Sequence, residues 1–337
     1  MEFSWKEITL TLRYPFILSD SVITEKKVVF AECSAEGLIG IGEAAPSSYY
    51  GETPQTVIAV FEKARPILGN IRFPFSVESL NDELLRSFPD AASARSAMVM
   101  AVLDWMGKKQ NLPLYKLLQI DAAKTPVTSF TIGIDQPEVL AKKISEAENF
   151  PILKIKLGKG DYDYEILKTV RRHTGKTLRV DVNEGWNKEE AAKKIDWLSQ
   201  QNVELVEQPL PKENLDDMIW LHQRSALPVF ADENVLTIKD IQSVTECFDG
   251  VNIKLDKCGG LLEAVKMIRT ARRNSLKVMI GCMIQTSVGT TAMAHLSPLV
   301  DYADLDGHLL INNDPYKGFA VDHGRIQLPS LPGIGIH

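Results

Sequence analysis

The sequence predicts an α/β barrel that carries an α+β segment ahead of it, and three observations predict this. From Thr125 onward, apolar strand-like runs centre near Ser129, Ile155, Val180, Leu205, Val229, Ile253, Val278 and Tyr302, roughly 25 residues apart, with amphipathic helical stretches between most of them. Repeated βα units with near-continuous apolar strands imply a parallel sheet. Eight of them imply a closed barrel, a modified TIM (β/α)8-type barrel, over residues 123–308. The residues before it, 1–122, keep a different rhythm. The tail, 309–337, with Asp314-Pro315 and Leu331-Pro332-Gly333, has too few periodic residues for another domain and is expected to pack back on the first segment.

Each part of the first segment has a local reason. Glu7 to Tyr14 and Lys27 to Cys33 alternate in strand fashion, and Gly37 to Glu43 turns into a third strand. Thr53-Pro54 is a helix start of the cap-plus-proline kind. Ala91 to Lys108 is a long Ala- and Met-rich pattern that predicts a buried helix, with a possible share in a homo-oligomer interface.

Composition narrows the function. At 337 residues, 45% hydrophobic and 24% charged, the chain has the profile of a soluble globular protein, and its net charge of −6 offers no basic footprint for nucleic acid or an anionic membrane. No signal-like segment follows Met1 and no apolar run reaches about 18 residues, so a cytoplasmic location is expected. The four cysteines, Cys33, Cys247, Cys258 and Cys282, lack metal-ligand spacing and read as reduced thiols.

In a barrel of this kind the active site forms at the carboxyl ends of the strands. Strand two, Ile152 to Gly158, is apolar yet carries Lys154 and Lys156, which are two apart and therefore project to one face. Two buried ammonium groups need an anion in front of them. Strands three, four and five end in Asp181, Glu207 and Asp232, so three carboxylates converge on one side of the mouth, an arrangement that suits octahedral Mg²⁺. Taken singly, each could be a helix N-cap; three in register point to a cation.

Lys254, on strand six, lies four strands from Lys156. The two lysines face each other across the ring, a geometry for taking a proton from one side of a carbon and returning one to the other. Lys154 beside Lys156, together with the nearby cation, is expected to lower the ammonium pKa values by like-charge repulsion. Asp304 and Asp306 share a face of strand eight, opposite strand four, and are expected far from the metal-bound end, where they call for a cation. A molecule with a carboxylate at one end and an ammonium at the other fits both ends, and a dipeptide is the simplest.

The constellation resembles the enolase superfamily, its muconate-lactonizing subgroup, and within it the dipeptide epimerases of the alanyl-glutamate type. The resemblance rests on Gly40-Ile41-Gly42-Glu43-Ala44-Ala45-Pro46, Lys154-Ile155-Lys156, Asp181-Val182-Asn183-Glu184-Gly185-Trp186, Glu207-Gln208-Pro209, Ala231-Asp232-Glu233, Asn252 to Gly260 and Ala303-Asp304-Leu305-Asp306-Gly307. It implies a Mg²⁺-dependent isomerase acting through an enediolate, with Lys156 and Lys254 as the acid/base pair and Asp181, Glu207 and Asp232 as metal ligands. It further implies that Lys154 and Thr131 contact substrate and that the backbone from Cys282 to Ile284 lines the pocket. Asp304 and Asp306 would hold the substrate α-ammonium, and residues 1–122 would form a capping domain whose loops around Leu18 to Thr24 and Ser47 to Glu52 close over the site.

Three positions depart from the pattern. The first capping loop, which includes Ser21, has no arginine; Asp256 stands where an apolar residue is expected; Gln285 stands in place of a glutamate. With Asp20, Asp256 suggests that the second residue of the dipeptide is neutral or cationic, which makes Ser21 and Asp256 candidates for specificity. The rival reactions on the same scaffold are those of o-succinylbenzoate synthase, N-acylamino acid racemase and muconate cycloisomerase. Acid-sugar dehydration is disfavoured because strand seven ends without a histidine, and a non-catalytic binder is disfavoured by the opposed lysines.

Overall fold

The computed structural model describes residues 1–17 and 22–337. Strands β1 (Glu2–Ile17), β2 (Val22–Ala35) and β3 (Leu38–Ala44) form an antiparallel sheet in that order. Helices α1 (Pro54–Gly69), α2 (Val77–Ser87) and α3 (Ala92–Gln110) follow. The Thr53 side chain and Thr56 cap α1 reciprocally, and Pro54 sits in its first turn, as Thr53-Pro54 predicts. The glycines of the Gly40-Ile41-Gly42 motif allow α3 to lie directly on β3. A methyl at Gly40 would come within 2.1 Å of the Ala101 carbonyl oxygen, and one at Gly42 within 2.0 Å of that of Ala97. Helix α3 is consequently buried along most of its length, Met98 and Met100 included, so its apolar composition is already accounted for inside the chain.

The second unit is an eight-stranded parallel sheet of β4 (Phe130–Ile132), β5 (Ile152–Lys156), β6 (Thr177–Asp181), β7 (Val203–Glu207), β8 (Val229–Ala231), β9 (Gly250–Ile253), β10 (Lys277–Gly281) and β11 (Tyr302–Asp304), each strand pairing with the next. A parallel bridge between Thr128 and Ala303 brings the ends together, with the Ser129 amide donating to the Ala303 carbonyl at 3.2 Å. Short β-branched strands on both sides of the register exclude water, and alternate residues point inward. Leu205, Phe230, Met279 and Tyr302 fill the interior beneath the mouth, with the Arg179 guanidinium 5.2 Å from the Tyr302 ring. The barrel therefore has a solid floor, and inward residues one step further along each strand face an open rim.

The final segment returns to both units. Ile311 bridges Leu12 of β1, and the Ile334 amide donates to the buried Asp104 of α3 at 2.7 Å. The hairpin of β12 (Ala320–Asp322) and β13 (Arg325–Gln327) meets the residues ahead of β4, where Arg325 bridges Val127. Glu43, at the end of β3, fastens the sheet to the barrel: its carboxylate accepts from the Thr286 amide (2.8 Å), the Thr286 hydroxyl (2.6 Å) and the Gly289 amide (2.9 Å) at the start of helix Ser287–Ala294. Among the described residues no helix is long and apolar enough to cross a membrane.

Candidate active site

The parallel register sets the site. Lys156 of β5 is level with Asp181 of β6, and Asp181 with Glu207 of β7, so the strand ends present one ionisable side chain after another at the same height. Asp181, Glu207 and Asp232 are all buried, and one oxygen from each lies within 4.8 Å of the others. Three hard, anionic oxygen donors converging in a buried pocket suit a hard divalent cation such as Mg²⁺. Asn252 steadies this set by donating to Glu207 at 2.8 Å, and Gln208 does so by accepting from the Asp232 amide at 2.9 Å.

Four lysines surround the carboxylates. Lys156 reaches Asp181 at 2.7 Å and the Asn183 side-chain oxygen at 2.9 Å; Lys254 reaches Asp232 at 2.7 Å. Lys257 donates to the other Asp232 oxygen and to the backbone carbonyls of Asp232 and Asn252. Gly281 leaves the room Lys254 needs, since a methyl there would come within 3.0 Å of its Cε. The sequence motifs contain Asn183, Asn252 and Lys257 but assign these residues no role. Their only signal was polar character at strand ends already singled out.

Lys154 corrects one expectation. Its ammonium contacts Asp181 (2.9 Å), Glu207 (2.8 Å) and Asp304 (2.7 Å) at once, so the strand-eight aspartates lie within one lysine of the triad rather than far from it. Because the ring closes strand eight onto strand one, strand eight stands only one strand away from strand two, within reach of a lysine side chain. Asp304 also accepts from the Ser129 hydroxyl at 2.6 Å, and Asp306 accepts from the Thr131 amide. Cys282 donates to the Asp304 carbonyl and accepts from the Gly307 amide, and burial pushes its thiol pKa up.

The protein's own charges act in the opposite direction to the lowering expected of the lysines. Burial alone would lower the pKa of Lys154, but Asp181, Asp304 and Glu207 outweigh it and raise the value well above normal. For Lys254, burial is likewise overcome by Asp232 and Glu207, and its pKa is also raised. The nearest neighbours of these lysines are carboxylates, and at 2.7–2.9 Å their attraction exceeds repulsion between ammonium groups. Burial opposes ionisation of Asp181 and Asp232, yet the lysines hold both well below the usual carboxylate range. Glu207 is pushed up to about 7, by burial and then by Asp181. Asp306 also rises to about 7, through burial and the adjacent Asp304.

The rim belongs to the first unit. Phe16, beside the first capping loop, lies with its ring 5.9 Å from the Lys156 ammonium. In the second loop, the Tyr49 hydroxyl donates to Glu184 at 2.6 Å, and both Glu52 carboxylate oxygens accept from the Ser93 amide at the start of α3. Asp20 and Ser21 lie outside the described residues. Asp256 does not stand unpaired at the mouth, because it accepts from the Ala45 amide at 2.8 Å and feels the charge of Lys26. Ile284 and Met283 pack against Leu10, Val28 and Ala45 where the two units meet. Gln285 accepts from the Met283 amide at 3.3 Å and so shapes this turn. Its amide lies beside the buried Glu43, where a glutamate would add a second carboxylate.

Residues 138–337 match the family model described as enolase C-terminal domain-like, and residues 4–119 match the mandelate racemase / muconate lactonizing enzyme N-terminal domain. This chain belongs to the enolase superfamily. It is 40% identical to the L-Ala-D/L-Glu epimerase of Bacteroides thetaiotaomicron, over all of this chain and 88% of that one. It is 41% identical to the L-Ala-D/L-amino acid epimerase of Pedosphaera parvula, over 88% of this chain and 86% of that one. Among solved structures, it is similar to the dipeptide epimerase of Enterococcus faecalis V583 complexed with Mg and L-Leu-L-Tyr. The TM-score is 0.91 at 30% identity, covering 99% of this chain and 98% of that one.

Proposed function

We infer that this chain is a Mg²⁺-dependent dipeptide epimerase, an isomerase that inverts the α-carbon of the C-terminal residue of a dipeptide by two-base proton transfer. The observation that carries this reading is the pair of ion clusters spanned by Lys154, with the acidic triad on one side and Asp304 on the other. A dipeptide has a carboxylate for the first and an ammonium for the second.

Asp181, Glu207 and Asp232 are the residues to hold the cation, whose positive charge, when bound, draws in the substrate carboxylate and eases loss of the α-proton. Lys156 and Lys254 flank the α-carbon from opposite strands. In one direction Lys156 removes the proton from one face and Lys254 supplies one to the other; in reverse they exchange roles. Asn183 fixes the Lys156 ammonium, while Lys154 stands where negative charge grows as an enediolate forms. Asp304 and Asp306 take the α-ammonium, with Thr131 holding Asp306 in place.

Replacing Asp304 separates this reading from the succinyl-substrate and cycloisomerase reactions, whose substrates carry no α-ammonium. Asp304→Asn is expected to lower kcat/KM for a dipeptide by about 100-fold, since it removes one partner of a buried charge pair. A nearly silent Asp304→Asn would contradict the ammonium site.

A further inference from the structure

Two consecutive residues at the mouth hold a backbone conformation that side chains rarely allow. Asn183 and Glu184, in the turn after β6, have φ of 45° and 66°. Residues other than glycine stay in this left-handed region only where surrounding contacts hold them. The turn serves the site directly. The Asn183 backbone amide donates to Asp181 at 3.1 Å, and the Asn183 side-chain oxygen accepts from the Lys156 ammonium at 2.9 Å. The NH₂ of the same side chain donates to Glu233 at 3.2 Å, which leaves its oxygen for the lysine.

Glu184 holds this turn in place. Its amide donates to the Gln208 carbonyl at 2.8 Å, and both oxygens of its carboxylate are engaged. One accepts from the Lys212 amide at 2.7 Å, in the loop after β7, and the other from the Tyr49 hydroxyl at 2.6 Å, in the second capping loop. A single carboxylate thus ties the cap to the turn that carries Asn183. The Lys212 ammonium, 4.5 Å from the centre of the Tyr49 ring, adds a cation–π contact to the same pair. Tyr50 packs edge-on against Tyr49, 4.9 Å between ring centres, and feels the charges of Asp232 and Glu233, so this loop lies over the mouth. Tyr49 itself is 45% exposed, and its hydroxyl bond therefore adds little to the stability of the fold.

We propose that Tyr49 is a positioning residue for Lys156. Its hydroxyl fixes Glu184, Glu184 holds the left-handed turn, and the turn presents the Asn183 oxygen that aims the Lys156 ammonium at the α-carbon. Lys254 is held instead by Asp232. The two directions of proton transfer therefore depend unequally on the cap. This inference rests on the epimerase reading.

The test is the initial rate of α-proton exchange in D₂O with Mg²⁺, measured from the L,L and the L,D diastereomers of Ala-Glu, Ala-Leu and Ala-Lys. The proteins compared are the wild type, Tyr49→Phe, Glu184→Ala, the double variant and Lys156→Ala. Lys156→Ala marks the diastereomer whose proton Lys156 takes, because exchange from that one is lost. On the dipeptide that reacts fastest, Tyr49→Phe is expected to lower kcat for exchange from the marked diastereomer by about 3- to 10-fold, with KM and exchange from the other diastereomer each within about twofold. In the Glu184→Ala background, Tyr49→Phe should change the rate by less than about twofold, since the hydroxyl acts only through that carboxylate. Equal loss from both diastereomers, loss through KM alone, unchanged kinetics in Tyr49→Phe, or additive losses in the double variant would overturn the proposal and leave the epimerase reading standing. Absence of exchange by the wild type with every dipeptide would overturn both.

Discussion

At the scale of single residues, the site's behaviour turns on which charges are nearest neighbours. Lys154, Lys156, Lys254 and Lys257 each lie 2.5–2.7 Å from a carboxylate of the mouth, so none is an isolated base. The two lysines on opposite strands make a prediction that a one-base enzyme would not share. Lys254→Ala should exchange the α-proton of one diastereomer only and yield almost none of the other, with epimerisation lowered by 10³-fold or more. Comparing deuterium uptake with product configuration from each starting diastereomer measures this; equal exchange from both would show that Lys254 is not a base. The ionisable residues themselves were legible in the sequence because each falls at the end of an apolar run, where few other roles suit a charge. Their partners were not. The Lys154–Asp304 contact joins residues 150 positions apart, and only the closed ring decides how far a lysine reaches.

At the scale of elements, the loops after β5 and β6 are pinned together at the mouth of the barrel. Asp163 is buried and accepts from the Gly158 and Lys159 amides, the Trp186 indole and the Lys194 ammonium, at 2.6–2.9 Å. Gly185 lets the two loops touch, since a methyl there would meet Gly158 Cα at 2.7 Å. Lys156 ends the strand that feeds the first of these loops, and Asn183 lies in the second. Asp163→Ala removes the acceptor of the Gly158 and Lys159 amides and the Trp186 indole and leaves Lys194 with Glu190 and the Gly160 carbonyl; it is expected to cost about 3 kcal/mol of stability, read as a lower midpoint in denaturant. An unchanged midpoint would show that the network is not a structural support. Sequence periodicity located all eight strands because each is a short apolar run with turn signals on both sides. It could not find Asp163 as a pin, because an aspartate near the start of a helix reads as an ordinary favourable charge at that end.

At the scale of the whole molecule, the cap and the barrel are joined by buried acids, and these make the joint sensitive to pH. Burial, opposed only in part by the Thr286 and Gly289 hydrogen bonds, raises Glu43 from 4.5 to about 7. Between those values the folded chain holds a proton that the unfolded chain has released, so this group's contribution falls as pH rises from 4.5 to about 7. Glu43→Gln should therefore gain thermal stability relative to the wild type between pH 5 and pH 7.5. A difference in Tm that does not change with pH would contradict this. The fastening was not legible in the sequence, since Glu43 and Thr286 are 243 residues apart.

The central claim is that opposed lysines and an acidic triad exchange the α-proton of a dipeptide's second residue. Proton NMR in D₂O tests it most directly, with the protein, Mg²⁺ and L,L-dipeptides of acidic, aliphatic and cationic second residue. The account predicts that the α-proton signal of that residue disappears while the L,D diastereomer grows, and that removing Mg²⁺ with a chelator stops both. Retention of that signal in every dipeptide, with Mg²⁺ present, would contradict it.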